Sequence, residues 1–410
     1  MERPVQITDY YPFIDAEVKA GLEEYRRLLA GVSVQHINSM AFGGGVAELL
    51  RSLVPAMRSL GLHSKWSVLQ ADEKFFRVTK DFHNAVHGQS VELTSSHVST
   101  YQEGNARNLE IVDENADFVV IHDLQPLALV AGKERTRGLW IWYCHVDVSS
   151  ADPRVWGFLR QYIQKFDLVI FHLKDYFRSD LHVPQHAMPP GIDPLSEKNR
   201  ELSQQERQKV IGSLGIDLDR PMVLQVSRFD RLKDPLGVIE AFRIARDGLD
   251  VQLVLAGGGA ADDPEGNQVL AEVQAVAAGD ADVRVIALDH SNGALEINAL
   301  QRSAAVVVQK SLREGFGLTV TEALWKSRPV VGSAVGGIRY QIIHGQTGLL
   351  VHSVAEAAVA IRQLLKEPEF ARKLGAAGKE HVRKNFILPV YLLNWMKLLW
   401  FLKTRKREGC

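Results

Sequence analysis

Residues 305–322 carry a β-branched run, Ala305-Val306-Val307-Val308, and then Glu314-Gly315-Phe316-Gly317-Leu318-Thr319-Val320-Thr321-Glu322, in which seven residues separate two glutamates. The first run predicts a buried strand, and the residues from Thr319 to Lys326 predict the start of a helix. Glu314 therefore falls in a loop and Glu322 in an early helical turn. This β-loop-α unit is the building block of parallel sheets.

The same turn is a candidate site for a nucleotide sugar. The first backbone N–H groups of a helix have no intrahelical partner, and glycines let a ligand approach the backbone closely, so the turn from Gly317 to Thr319 suits a phosphate. Glu314 would accept hydrogen bonds from sugar hydroxyls, and Glu322 would accept them from a ribose. The alternative is an ordinary turn in which Glu322 only favours the helix dipole.

Apolar runs recur along both halves of the chain and leave room for a helix between them. In the first half they cover residues 32–37, 118–121, 139–142 and 168–171. In the second half they cover residues 222–226, 251–256, 283–286, 305–308, 329–332 and 348–351. This alternation predicts, in each half, a parallel sheet with helices on both faces.

Proline-rich sequence separates the two halves. The chain passes through Pro189-Pro190-Gly191-Ile192-Asp193-Pro194 and is then highly polar from Ser196 to Gln208. With 410 residues the chain is also too long for one ordinary core. We therefore predict two doubly wound, Rossmann-like α/β domains that meet at residues 190 and 191, with ligands bound in a cleft at the carboxyl ends of their strands.

The charge balance excludes a strong general attraction to polyanions. Lys and Arg number 48 and Asp and Glu number 49, which gives a formal net charge of -1, so we expect no nucleic-acid partner. Only two cysteines occur, Cys144 and Cys410, which argues against a disulfide framework and fits a reducing cytosol. The residues from Met1 to Pro4 lack an apolar signal region, so a cytoplasmic protein is expected.

The C-terminal segment from Tyr391 to Leu402 is apolar and ends in a basic stretch, Lys403 to Arg407. Two interpretations fit it: a packed terminal helix with a basic end, or a helix lying in a membrane interface. The segment is shorter than the ~18 uncharged apolar residues that span a bilayer. We therefore expect no stable membrane insertion.

A second loop places two cations at the end of a predicted strand. Ser227-Arg228-Phe229-Asp230-Arg231-Leu232-Lys233-Asp234-Pro235 directly follows the strand at 222–226. A diphosphate gains negative charge as its bond to a sugar breaks, and fixed Arg and Lys side chains stabilise that charge. We therefore predict that Arg228 and Lys233 bind a diphosphate without a metal ion. The alternative is a solvated loop, because such side chains are usually exposed.

A third loop, Gly43-Gly44-Gly45, precedes a helix candidate from Val46 to Leu60. Its backbone N–H groups would suit a phosphate or a sugar, and a simple tight turn is the alternative. It is not the Gly-x-Gly-x-x-Gly fingerprint, and the stretch from Leu62 to Ala71 lacks the acidic residue that dinucleotide-binding folds place there. An NAD-dependent dehydrogenase is therefore disfavoured.

Polar side chains follow two strand candidates of the first half. His122-Asp123-Leu124-Gln125-Pro126 follows one, and His145-Val146-Asp147 follows the next. Such groups suit recognition of a hydroxyl-rich acceptor, and His145 would hydrogen-bond the transferred sugar or help to polarise the reaction centre. Histidines are also common as satisfied structural groups, and for His122 both interpretations stay open.

No convincing metal site emerges from the sequence. The 14 histidines are scattered, and no Asp-x-Asp follows a strand candidate. We therefore expect no metal ion and no required cofactor. The Gly-x-Ser-x-Gly and P-loop motifs are also absent, which disfavours α/β hydrolases and P-loop kinases.

Together these motifs resemble the retaining glycosyltransferases of family 4, which have the two-domain GT-B fold. The likeness rests on the Glu-x7-Glu segment, on Arg228 with Lys233 and on the glycine-rich loop, and it spans nearly the whole chain. More narrowly, the segments that resemble the trehalose glycosyltransferring synthases are Asn38 to Glu48, His122 to Pro126, Cys144 to Asp147 and Ser227 to Asp230.

The resemblance implies a role for each matching residue. The implied donor-binding residues are Gly44, Gly45, Arg228, Lys233, Glu314, Gly315, Phe316, Gly317, Leu318, Thr319 and Glu322. The implied acceptor-binding residues are Asp123, Gln125, His145 and Asp147. The implied catalytic residues are His145, Glu314, Arg228 and Lys233. The resemblance also assigns a terminal helix, residues 386–410, to the first domain of residues 1–190, which leaves 191–385 as the donor domain.

The resemblance further implies a reaction. Glucose from a nucleoside diphosphate glucose would be joined to free glucose, with retention, to give trehalose, and the reaction would be reversible. The residues from Leu288 to Asn292 would accommodate adenine, uracil or guanine as the base. Two alternatives stay open: a family 4 transferase with another sugar or a lipid-linked acceptor, and a non-catalytic sugar-nucleotide sensor. The sequence does not set the oligomeric state, and a homodimer is one option.

Overall fold

The computed structural model describes residues 5–42, 44–258, 264–288 and 293–408. Gly43, residues 289–292 and Cys410, which the sequence predictions name, lie outside these ranges. The chain divides into two compact units. The first comprises Met1–Pro190 with Leu388–Cys410, and the second comprises Gly191–Ile387.

The described residues form parallel strands in both units. The strands are β1 (Ser33–Asn38), β2 (His63–Val68), β3 (Phe118–His122), β4 (Leu139–Cys144), β5 (Leu168–Phe171), β6 (Gln185–Ala187), β7 (Met222–Val226), β8 (Gln252–Gly258), β9 (Val283–Leu288), β10 (Val306–Gln309), β11 (Val330–Ser333) and β12 (Leu349–Val351). The first unit has the order β2-β1-β3-β4-β5-β6, and the second has the order β12-β11-β10-β7-β8-β9.

Helices connect these strands. They are α1 (Ala16–Leu28), α2 (Gly45–Ser59), α3 (Glu73–Val86), α4 (Ser95–Ala106), α5 (Pro153–Ile163), α6 (Gln204–Ser213), α7 (Pro235–Ala245), α8 (Pro264–Ala277), α9 (Ala294–Ser303), α10 (Leu318–Trp325), α11 (Ile338–Gln341), α12 (Val354–Lys366), α13 (Pro368–Asn385) and α14 (Leu388–Glu408). Short 3-10 helices cover Ile7–Phe13, Leu109–Ile111, Leu127–Arg135, Lys174–Tyr176 and Arg231–Lys233.

The two sheets confirm the predicted α/β class with doubly wound parallel sheets. Central strands are rich in apolar residues because both faces are covered, and every residue of β3, β5, β7 and β10 is buried. The sequence prediction missed β2 and β6. Both lie at the edges of the first sheet, where one side has no neighbouring strand, and the polar residues of β2 hide the apolar pattern of a buried strand.

The apolar C-terminal segment forms the long helix α14, which belongs to the first unit. Its Trp395 is buried and packs edge-on against His36 of β1 and Tyr143 of β4. The apolar run is therefore packed inside the first unit, with Trp395 against two strands of the sheet. None of the described helices is both long and apolar enough to cross a membrane.

The topology places the predicted motif loops next to one another within each unit. In the second unit β7 and β10 are hydrogen-bonded neighbours, with Val306 paired to Val223. In the first unit β1, β3, β4 and β5 are successive neighbours. All pairs are parallel, so the loops that follow these strands share one edge of each sheet.

Candidate active site

In the second unit, one loop follows β7 and another follows β10, and at least three contacts join their described residues. The backbone N–H of Leu312 donates to the carbonyl of Leu232 at 2.8 Å. The buried Lys310 forms an ion pair with Asp234, which has a left-handed backbone and caps α7. The third contact joins Lys233 to Glu314. The two loops thus form one surface.

The ion pair between Lys233 and Glu314 is the centre of this surface. Lys233 Nζ lies 2.7 Å from Glu314 Oε2, and the two side chains are 16% and 10% exposed. Ser311 Oγ donates to the same carboxylate oxygen at 3.1 Å. Two predicted site residues from separate motifs are thus in direct contact. The positive charge of Lys233, which the sequence predicts to bind a diphosphate, is therefore partly compensated by the negative charge of Glu314.

Arg228 is the more exposed of the two predicted cations. Its side chain is 50% exposed, and Nη2 lies 3.4 Å from Asp230 Oδ2. The other oxygen of Asp230 accepts from the backbone N–H of Leu232 at 2.8 Å. The neighbouring Arg231 makes two bonds to Glu272 instead, at 3.0 and 2.7 Å. Arg228 therefore holds a long, solvent-screened contact that an anion can replace.

The glycine turn leads directly into α10. Gly317 has a φ of +87°, a left-handed value that side chains rarely adopt, and it offers no side chain to cap the helix. A Cβ at this position would lie 3.1 Å from Glu314 Cγ. Glycine is therefore required both by the backbone and by the packing of the glutamate. The predicted contacts of Gly315, Phe316, Leu318 and Thr319 with a donor stay predictions.

Gln341 holds this turn from inside the unit. Its Nε2 donates to the carbonyls of Phe316 and Gly317 at 2.5 and 3.3 Å, and its Oε1 accepts from Thr321 Oγ1 at 2.5 Å. The side chain is fully buried. Because two turn carbonyls are used internally, the turn has a fixed shape. Sequence reasoning missed Gln341, which lies beyond the motif and carries no local signal of its role.

Glu322 lies deep in α10 and is only 2% exposed. Its Oε2 accepts from Gln301 Nε2 at 3.3 Å, and its Oε1 lies 3.6 Å from Lys198 Nζ. Gln301 in turn accepts from the buried Lys326 Nζ at 2.8 Å, which also donates to Asn199 Oδ1 at 2.8 Å. Such buried charges need this network, which fixes the carboxylate. The predicted ribose contact of Glu322 stays a prediction.

The glycine-rich loop of the first unit lies at the start of α2. Gly44 has a φ of +83° and precedes the helix, and Gly45 is its first residue. A Cβ on Gly44 would meet nothing within 4 Å. Beside it, Phe42 is 74% exposed, with the Arg51 guanidinium 5.3 Å from its ring centre. Glycine is thus needed at Gly44 for its backbone angle.

Asp123 follows β3 with a left-handed φ of 63°. Its Oδ1 accepts from the backbone N–H of His145 at 2.8 Å. Burial raises the pKa of this carboxyl to about 7, and the hydrogen bond from His145 opposes that rise. Asp147 uses one oxygen to accept from the N–H of Ser149 at 2.9 Å. Among the described residues, the buried Oε1 of Gln125 has no hydrogen-bond partner.

Four histidines of the first unit form a continuous hydrogen-bonded array. His36 Nδ1 lies 3.0 Å from His122 Nε2, His122 Nδ1 lies 2.8 Å from His145 Nε2, and His145 Nδ1 lies 3.0 Å from His172 Nε2. Both ring nitrogens of His145 are therefore engaged within the protein. A sugar hydroxyl would have to share or replace one of these bonds.

Burial keeps this array uncharged. It lowers the pKa of His36 and of His172 to about 3. Burial also lowers the pKa of His122 and His145 well below the usual value, and neighbouring imidazoles add to both effects. For His122 this arrangement matches the interpretation as a satisfied structural group.

Sequence reasoning missed His36 and His172, although a signal existed. Each lies in or directly after a predicted strand, at residues 32–37 and 168–171, as His122 and His145 follow theirs. The order β1-β3-β4-β5 makes these strands neighbours. Parallel strands with histidines near their carboxyl ends bring the rings together.

The described residues contain no group of three or more His, Cys, Asp or Glu side chains that could hold a metal ion. The sequence also contains a histidine pair with helical spacing, His83 and His87, which was not predicted as a site. His83 and His87 lie at the C-terminal end of α3 with ring centres 4.5 Å apart. His87 Nδ1 is 2.8 Å from the carbonyl of His83. The pair thus has a local role at the helix end.

Both units of the chain are similar to known protein families. Residues 36–178 match the family described as trehalose synthase, N-terminal domain, and residues 206–381 match glycosyl transferases group 1. The chain is 43% identical over 398 residues to the trehalose synthase of Pyrococcus horikoshii, with 96% of each chain covered. It is 44% identical over 402 residues to the trehalose synthase of Rubrobacter xylanophilus, again with 96% of each covered.

A solved structure shares the fold at low identity. Sucrose-phosphate synthase from Thermosynechococcus elongatus superposes with a TM-score of 0.71 and 21% identity, covering 91% of this chain and 100% of that one. This likeness concerns the fold alone. It agrees with the predicted GT-B architecture of two parallel sheets, each flanked by helices.

Proposed function

Because this chain belongs to the trehalose synthase family of GT-B glycosyltransferases, we propose that it transfers glucose, with retention, from a nucleoside diphosphate glucose to free glucose. The product is trehalose, and the reaction is reversible. The observation that carries the proposal is the Lys233–Glu314 ion pair, which joins the loop that holds Arg228 to the loop that leads into α10. Cations, a carboxylate and the first backbone N–H groups of a helix are the groups that a nucleotide sugar requires.

The donor's diphosphate is the first ligand to consider. Arg228 is half exposed and binds Asp230 only at 3.4 Å, so it can turn to a phosphate at little cost. Lys233 is held by Glu314, and it contributes positive potential from a fixed position. As the sugar–phosphate bond breaks, this preorganised charge stabilises the leaving diphosphate without a metal ion. We expect a chelator to leave transfer unchanged.

The donor glucose is assigned to Glu314. One carboxylate oxygen accepts from both Lys233 and Ser311, which fixes the position of the carboxylate. A fixed carboxylate accepts hydrogen bonds from sugar hydroxyls without an ordering cost. We assign no nucleophile, and the leaving phosphate is proposed to take the proton of the acceptor hydroxyl on the same face.

The acceptor is assigned to the first unit. Gln125 Oε1 is buried without a hydrogen-bond partner among the described residues, so a glucose hydroxyl would satisfy it. Asp123 and Asp147 supply further carboxylate oxygens at the same edge of the sheet. Free glucose is thus proposed as the acceptor, and the protein is proposed to act in the cytoplasm.

A product assay tests this proposal. The purified chain is mixed with UDP-, ADP- or GDP-glucose and free glucose, and NMR follows the anomeric protons. The symmetric signal of trehalose supports the proposal and identifies the base. Nucleotide release without a disaccharide would overturn the acceptor assignment. Binding of a donor without any release would indicate a sensor. In a parallel sample that contains maltose and no nucleotide sugar, formation of trehalose would indicate an isomerase.

A further inference from the structure

The histidine array has a property that its separate members lack. A hydrogen bond between two imidazole nitrogens needs one proton, and a neutral imidazole carries one proton on its two nitrogens. If His122 donates through Nε2 to His36, its Nδ1 is bare and must accept from His145. His145 then donates through Nε2, so its own Nδ1 is bare and must accept from Nε2 of His172. All four rings must therefore carry the proton on the same nitrogen, either Nδ1 throughout or Nε2 throughout.

The array is closed at one end. His36 is fully buried, and its Nε2 has no hydrogen-bond partner in the part of the chain that the structure describes. Its ring packs edge-on with Trp395, with 5.7 Å between ring centres. Changing all four rings from one tautomer to the other requires one proton to enter at one end of the array and another proton to leave at the other end. A dead end at His36 opposes this exchange, so the array is not a proton conduit.

The other members are also held in place. The ring of His145 stacks on Tyr143 with 4.1 Å between centres, and its backbone N–H donates to Asp123 Oδ1. Tyr143 is itself fixed, because its hydroxyl donates to the carbonyl of Met188 at 2.6 Å. The titratable groups around the array include Asp123, Tyr143, Cys144 and, from α14, Tyr391.

We propose that His36, His122 and His172 are positioning residues that hold His145 in one neutral tautomer and one ring orientation. The role of His145 in glucose transfer rests on the proposed function, whereas the coupling of the tautomers does not. His145 then keeps one ring orientation and one protonated nitrogen throughout the physiological pH range, although both ring nitrogens are engaged within the array. A solitary histidine with an ordinary pKa would change both near pH 6.5.

Nitrogen-15 NMR of the full chain, labelled at its histidine rings, tests the coupling directly. Ring-nitrogen shifts distinguish the two neutral tautomers and the cation. We expect the four array rings to show one common tautomer that does not change between pH 5 and pH 8. Two array rings with different tautomers, or one that titrates near pH 6.5, would overturn the proposal. This measurement needs only the wild-type fold.

Single substitutions assign the signals and test the positioning role. His36→Gln keeps one donor and one acceptor at position 36, whereas His36→Leu keeps neither. We expect the leucine variant to lower kcat about tenfold, a typical size for coupling within a hydrogen-bond network, with the donor KM within about twofold. The glutamine variant should recover to within about threefold of wild type, because it still partners His122.

The matched control is His63→Gln, an exposed histidine on β2 of the same sheet. It should leave kcat and the array signals unchanged. A folded His36→Leu protein with wild-type kcat would overturn the positioning role. If the wild-type protein makes no disaccharide from any donor, the proposed function fails. The nitrogen-15 NMR measurement still tests whether the tautomers of the four rings are coupled.

Discussion

Lys233 and Glu314 form an ion pair with 2.7 Å between Nζ and Oε2, and both side chains are largely buried. They come from loops that follow neighbouring strands, β7 and β10, and a backbone bond from Leu312 to Leu232 joins the same loops. The groups assigned to the donor sugar and to the diphosphate are therefore coupled. Removing one member of the pair leaves the other as a largely buried charge without this partner.

Replacement of Glu314 by glutamine should lower kcat for transfer at least about a hundredfold, a typical loss when one preorganised polar group is removed. Binding of the nucleoside diphosphate should stay the same or tighten, because Lys233 loses its anionic partner. Isothermal titration with UDP, ADP and GDP measures the binding, and initial rates measure transfer. Glu240→Gln, an exposed change on α7, is the control. A folded Glu314→Gln protein without nucleotide affinity would contradict the sugar-binding role.

Replacement of Arg228 by alanine should weaken nucleoside diphosphate binding about tenfold or more, because a hydrogen bond to a charged group contributes about 1.5–3 kcal/mol. The free energy of unfolding should change little, since the side chain is 50% exposed. Calorimetric titration and urea unfolding measure the two quantities.

The matched control for Arg228 is Arg231→Ala. Arg231 lies in the same loop but pairs with Glu272, at 2.7 Å for the shorter contact. It should retain the affinity of the wild-type protein. Equal losses in both variants would assign the effect to the general charge of the loop and remove the specific role of Arg228.

Replacement of Gly317 by alanine should lower the free energy of unfolding by about 1–2 kcal/mol, because a left-handed backbone is strained with a Cβ. The new Cβ would lie 3.1 Å from Glu314 Cγ, so transfer should also fall. Gly279→Ala is the comparison, with a φ of +80° and nothing within 4 Å of the added carbon. The Gly279→Ala variant should lose a similar free energy of unfolding and keep full transfer activity. Equal activity in both variants would contradict the link to Glu314.

Stability should depend on pH through Asp123. Burial raises the pKa of this carboxyl to about 7 in the folded protein, whereas an unfolded aspartate has a pKa of about 3.9. Between these values the folded state holds more protons, so the contribution of Asp123 to stability falls as pH rises from about 4 to about 7. Asp123→Asn removes this term and keeps an oxygen for the His145 N–H.

The free energy of unfolding of Asp123→Asn minus that of the wild type should therefore increase between pH 5 and pH 7. Urea titrations at fixed pH values measure the difference, in which the titrations of the buried histidines largely cancel. A difference that stays constant across this range would show that Asp123 has an ordinary pKa.

The fold was predictable because its signal is local. The runs at 222–226 and 305–308 are apolar except for Gln225, and they form β7 and β10 within one residue of the predicted bounds. The loops that follow them were recognised from their Gly, Glu, Arg and Lys residues. Edge strands β2 and β6 were missed, because a strand with one neighbour lacks the continuous apolar run of a central strand.

The contacts within the sites were less predictable, because they depend on the order and register of the strands. The sequence does not show that Glu314 meets Lys233, since 80 residues separate them. It likewise does not show that His36 and His172 extend the pair formed by His122 and His145, which requires the order β1-β3-β4-β5. Gln341 orients the glycine turn, and Gln301 orients Glu322, both from inside the unit. A single buried glutamine belongs to no recognisable sequence motif.

Isotope-resolved product analysis tests glucosyl transfer most directly. Free glucose labelled with carbon-13 at C1 is incubated with the purified chain and the nucleoside diphosphate glucose that it accepts, and NMR records the anomeric carbons of the product. At early times, before reverse transfer can redistribute the label, we predict trehalose with one labelled and one unlabelled ring, both α-linked, and one nucleoside diphosphate released per disaccharide. Nucleotide release with no labelled disaccharide, or a β-linked product, would contradict the account.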